Sequence, residues 1–79
     1  MSIERWRAEN PLVLLRKARK ISQQDFALVV GVSPVMIRSW EKGAYRPTED
    51  RLDQMARALK YPALVEAWNK WEAQRPTAL

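Results

Sequence analysis

The stretch ISQQDFALVVGVSPVMIRSWEKG, Ile21 to Gly43, decides the fold. It contains two short helical patterns joined at Gly31, and the second carries its own start and stop signals. Ser33 is a capping residue, Pro34 suits the first helical position, and Gly43 suits a left-handed helix end. Upstream, Ser22-Gln23-Gln24-Asp25 has the form of a capping box. Phe26, Ala27 and Val30 then share one face and are predicted core. The link at Gly31-Val32 is short, so the two helices must cross steeply, as in a helix-turn-helix.

From Pro34 to Lys42 the two faces separate. Ile37 and Trp40 lie three residues apart and face the core with Val32. Val35, Arg38, Ser39 and Lys42 fall on the opposite side. That outward face has small and basic residues and no acid. A helix with a merely solvated back usually shows mixed charge, so a one-signed face on a short, well-capped helix points to a polyanion.

Before this unit, Asn10-Pro11 pairs a capping side chain with proline at the first helical position. The helix is predicted to run to about Lys20, with Leu12, Leu15 and Ala18 inward. Val13 and Leu14 lie off that stripe, which predicts cover on a second side. The cations of Arg16 to Lys20 complement the helix dipole. Residues 1–9 read as an arm or a short turn. Trp6 there either packs on the core, the favoured reading, or belongs with Arg5 and Arg7 to an arm that tracks phosphates.

After the unit, Thr48 caps a helix that has Glu49 and Asp50 in its first turn. Leu52, Met55, Ala56 and Leu59 give it a clean apolar stripe, read as core and nothing else. Pro62 opens a further helix to about Gln74, stopped by Pro76. Leu64, Val65, Trp68 and Trp71 form its apolar face. Leu64, Trp68 and Trp71 serve either as a core face or as a dimer seam; tryptophan is common in both settings. The expected organisation is one domain over 1–79: residues 1–9, a four-helix core at 11–60, a C-terminal helix at 62–75 and a tail at 76–79.

The totals fit this picture. The chain has 79 residues and a formal net charge of +5, with no His and no Cys. A basic small domain favours nucleic acid or an anionic surface as partner. Disulfides, thiolate or imidazole metal sites and the commonest catalytic bases are unavailable, so no metal, no cofactor and no enzyme activity are expected. Gly31 and Gly43 are the only glycines, too few for a phosphate-cradling loop. Ile3-Glu4-Arg5-Trp6-Arg7 is charged where a signal peptide would be apolar, and the apolar run from Phe26 to Ile37 is broken and short of a membrane span. A cytoplasmic protein without a membrane partner is the expectation.

These residues resemble the phage-repressor-like (Cro- and Xre-type) helix-turn-helix domains. The resemblance runs from about Leu12 to Leu59. It is carried by Leu12, Leu15-Arg16, Ile21-Ser22-Gln23, Phe26-Ala27, Gly31-Val32-Ser33, Ile37, Trp40-Glu41, Gly43, Pro47 and Leu59. It implies an all-α, five-helix, lambda-repressor-like fold and a sequence-specific regulator of transcription. That regulator is expected to be a repressor, and a homodimer on double-stranded DNA.

By the same resemblance, Arg16 and Glu41 form a scaffold ion pair, and Gln23 contacts a DNA phosphate. Base contacts are implied at Pro34, Val35, Arg38 and Ser39. Phosphate contacts at Lys42, Arg46 and Thr48 complete the expected set. Pro34 and Val35 depart from the long polar residues common at those family positions. Val35 can pack on a thymine methyl, and Ser39 can hydrogen-bond to a base edge. A phage or mobile-element regulator fits, as does the antitoxin of a toxin–antitoxin pair. A protein-interaction module using the fold with little DNA reading is the alternative.

Overall fold

Six α-helices and no strand make up residues 2–77, which the computed structural model describes. They are α1 (Ile3–Ala8), α2 (Pro11–Ala18), α3 (Gln23–Val30), α4 (Pro34–Glu41), α5 (Glu49–Ala58) and α6 (Leu64–Ala73). The all-α architecture matches the expectation, with one more helix than the five anticipated. That helix is α1, in the segment read as an arm or turn. Ser2 caps it by accepting the Arg5 N–H at 3.1 Å. Six residues make a marginal helix alone. Tertiary contact holds this one, because Trp6 is 1% exposed in the core.

Each of the other helices starts where its capping residue stands. Asn10, Ser22, Ser33 and Thr48 accept the backbone N–H of Leu12, Asp25, Met36 and Arg51. Loss of such a cap costs ~1 kcal/mol. α6 is the exception. It begins at Leu64 after a Tyr61-Pro62-Ala63 turn rather than at Pro62, with no side-chain cap.

Helix ends differ from expectation at α2 as well. It stops at Ala18, and Lys20 follows in a left-handed conformation with φ +57°. The Ile21 N–H reaches back to the Arg16 carbonyl at 3.1 Å, closing the end. Ala18 is exposed, contrary to the predicted stripe, because the helix turns its Leu12 and Arg16 side inward. Leu14 is likewise exposed rather than covered. Lys60, φ +54°, closes α5 in the same way, with the Tyr61 N–H on the Ala56 carbonyl at 2.8 Å.

The core gathers Trp6, Leu12, Phe26, Ala27, Val30, Ile37, Leu52, Met55, Leu59, Leu64 and Trp68, with α3 packed on α4 and α5, and α6 on α2 and α5. Of the two roles open to Leu64, Trp68 and Trp71, the protomer uses the core one: all three are buried within it. Trp6 and Trp71 stack at 3.8 Å between ring centroids with planes 4° apart. Each indole N–H donates to the other residue's carbonyl, at 2.8 and 2.7 Å. α5 does more than fill the core. Arg51 and Gln54 donate to the Val30 carbonyl at 3.2 and 2.8 Å, capping the C-terminal end of α3.

Candidate nucleic-acid interface

α3 and α4 are joined by Gly31, Val32 and Ser33, with Gly31 at φ +83°. α4 buries Ile37 and Trp40 and turns Val35, Arg38 and Lys42 outward, with Ser39 and Pro34 half-buried at the edges. Its eight residues give a rod of about 12 Å. Gly43, φ +75°, ends the rod, and the Ala44 N–H closes onto the Ser39 carbonyl at 3.0 Å.

The far end of α4 is held by an unusual number of donors. An α-helix leaves its last four carbonyls without an intrahelical partner. Here all four have one. Ser39 accepts from Ala44, and the Lys42 carbonyl accepts from Arg7 Nε at 2.9 Å. Asn10 Nδ2 serves both Trp40 and Glu41, each at 3.1 Å. Beyond the helix, Arg75 Nη1 donates to the Gly43 carbonyl at 2.9 Å while its guanidinium lies over the Trp6 ring. Asn10 is fully buried, and sequence reading gave it only its capping role. Its amide hydrogens reach across 30 residues, a distance over which no periodicity carries a signal.

The structure brings Arg16 and Glu41 together in a bidentate pair, with Nε to Oε2 at 2.8 Å and Nη2 to Oε1 at 3.1 Å. Arg16 Nη1 also donates to the Ile21 carbonyl at 2.8 Å. Gln23 Nε2 joins from the start of α3, 2.9 Å from Glu41 Oε1. One carboxylate at the C-terminal end of α4 therefore ties that helix to both α2 and α3. A carboxylate is disfavoured there by the helix dipole, and the guanidinium offsets that.

The remaining expected contacts sit around this frame. Arg46 is exposed but engaged, donating to Glu72 at 3.0 Å and to Asn69 at 2.9 Å. Thr48 uses its hydroxyl oxygen to cap α5, which leaves its hydrogen free to donate. A shallow groove runs between the first turns of α4 and the loop into α5, lined by Val32, Val35, Met36, Ser39, Tyr45 and Arg46, among others. No acidic side chain lines it. Met36, 42% exposed, belongs to this surface, and sequence reading missed it.

No described helix is long and apolar enough to cross a membrane. Neither a curated protein nor a solved structure matches the chain. A family model described as Helix-turn-helix matches residues 12–64, from α2 to the start of α6. Because that match spans more than half of the residues and includes the whole α3–α4 unit, the chain belongs to the Cro- and Xre-type helix-turn-helix family of DNA-binding regulators.

Proposed function

We propose that this protein is a sequence-specific repressor that inserts α4 into the major groove of double-stranded DNA and works as a homodimer in the cytoplasm. The observation that carries the proposal is the outward side of α4. It is basic, free of acid, and fixed at its far end by partners from α1, α2 and the segment after α6. A helix that reads bases gains from such anchoring, because its side chains meet the base edges without first being ordered.

In this reading Val35, Arg38, Ser39 and Pro34 face the bases. Arg38 is the one side chain there with bidentate donors for guanine. Gln23, Lys42, Arg46 and Thr48 hold phosphates. Gln23 stands at the N-terminus of α3, where backbone N–H groups favour an anion, and its amide keeps a second hydrogen beyond the one given to Glu41. For Arg46 to reach a phosphate it must exchange an exposed ion pair, which contributes only ~0–1 kcal/mol. The dimer seam lies away from Trp68 and Trp71, which the protomer buries. Two recognition helices would then sit one DNA turn apart, about 34 Å.

Selection of bound duplexes from a random library tests this. A two-fold symmetric motif supports sequence reading and dimerisation together, and log Kd should change with log salt by about 0.9 per neutralised phosphate. Absence of enrichment favours a second reading, an interaction module of the antitoxin type. Val35 and Met36 in the first turn of α4, with Tyr45 from the loop that lines the same groove, are exposed and apolar and are the observation on its side.

A further inference from the structure

We propose that α6 competes with DNA for Arg46, its Glu72 carboxylate and Asn69 amide oxygen standing in for phosphate oxygens until a duplex displaces them. Resting on the DNA-reading function proposed above, this makes α6 an internal restraint on affinity.

Arg38, Lys42 and Arg46 are the cations assigned to the DNA-facing side. Among the described residues, Arg46 is the one of these with a carboxylate partner. Both of its terminal nitrogens are taken by α6, Nη1 donating to Glu72 Oε1 at 3.0 Å and Nη2 to Asn69 Oδ1 at 2.9 Å. The two acceptors stand three residues apart, on one side of the helix. A guanidinium also takes a phosphate through paired N–H groups, so α6 and DNA call on the same donors. Arg46 lines the groove beside α4 as well, where no acidic side chain stands. The guanidinium therefore touches both the candidate DNA surface and its rival.

The rival is itself held in place. The Trp68 indole, fully buried, donates its N–H to Glu72 Oε2 at 3.1 Å. Glu72 thus keeps a fixed partner when Arg46 leaves, and stays available to take it back. The ion pair is open to water, with 37% of the Arg46 side chain and 41% of the Glu72 side chain exposed. A solvated pair of this kind is weak enough to be exchanged and strong enough to lower affinity a few-fold. It adds little to the attachment of α6, which Leu64, Trp68 and Trp71 already bury in the core. Asn69 and Glu72 also lie beyond the family-matched residues 12–64, so the restraint comes from this chain's own last helix.

The test measures affinity of the full chain, at one salt concentration, for a duplex recovered by selection. Glu72→Gln removes the charge and leaves an amide oxygen for Trp68. It should tighten binding about two- to five-fold. Asn69→Ala removes the second acceptor without changing the net charge, and should tighten binding about two-fold. Arg46→Ala should weaken binding, and in its presence both gains should vanish. A Glu72→Gln gain that persists in full beside Arg46→Ala comes from general repulsion of DNA and overturns the competition. Unchanged or weaker binding by Glu72→Gln overturns it too, since α6 would then be indifferent to DNA or would present Arg46 to phosphate. No gain in Asn69→Ala overturns the part given to Asn69. All of these outcomes leave DNA reading standing. If no duplex is enriched, the DNA-reading function itself fails and this inference with it.

Discussion

Replacing Gly43 by alanine asks whether the end of α4 is rigidly held, and Gly31→Ala supplies the control. Both glycines have left-handed φ, +75° and +83°, so alanine at either carries the same backbone strain of about 1–2 kcal/mol. Their surroundings differ. A Cβ at Gly31 meets nothing within 4 Å, whereas at Gly43 it would lie 2.7 and 2.8 Å from two Trp6 ring atoms and 3.1 Å from Trp71. Neither indole has room to retreat, because the rings are stacked at 3.8 Å and each N–H is bonded to the opposite backbone. Overpacking of that kind adds roughly 1–3 kcal/mol. Gly31→Ala should therefore cost about 1–2 kcal/mol and Gly43→Ala about 2–5, against a total stability of roughly 4–12 for a chain of this length. Urea unfolding followed by tryptophan fluorescence measures both. Equal midpoints for the two variants at unchanged slope would show that the tryptophan pair yields freely, and the account of a rigidly held α4 would collapse.

Glu41→Ala should lower stability by about 3 kcal/mol, since it leaves Arg16 nearly buried with two donors unmet and takes a partner from Gln23. In a domain of this size that is a fall in melting temperature of roughly 12–24 °C, and an unchanged melting curve would remove the pair from the scaffold. Lys20→Gly and Lys60→Gly should each raise stability by about 0.5–1 kcal/mol: the left-handed strain released exceeds the extra freedom of glycine in the unfolded chain. Chemical denaturation reads this directly, and a loss of stability in both would mean that the lysine side chains do more at those helix ends than tolerate their conformation.

The helix-turn-helix was legible because its signals are local. Ser22, Ser33, Pro34 and the two glycines each act within a few residues, and the two faces of α4 follow from helical spacing alone. What stayed hidden acts across the chain. Asn10 looks like a helix start, and nothing nearby shows that it also binds two carbonyls 30 and 31 residues away. Arg7 and Arg75 look like any solvated cation, and the stacking of Trp6 on Trp71 joins residues 65 apart. Met36 was hidden for a different reason. It stands four residues from both Val32 and Trp40, so spacing assigns it to the buried stripe, while in the structure it is 42% exposed and lines the groove. Ala18 fails in the opposite sense, because spacing prefers an apolar residue where the protein buries the charged Arg16.

The stacked tryptophans also determine how the molecule handles force. α1 and the end of α6 come together beside the trailing end of α4, where Trp6 stacks on Trp71 and Arg7 and Arg75 donate to the Lys42 and Gly43 carbonyls. A tether pulling the two strands of chain apart would shear Trp6 from Trp71 and free the Arg7 and Arg75 grips on α4 in the same event. α4 would lose its backstop while its own hydrogen bonds were still intact.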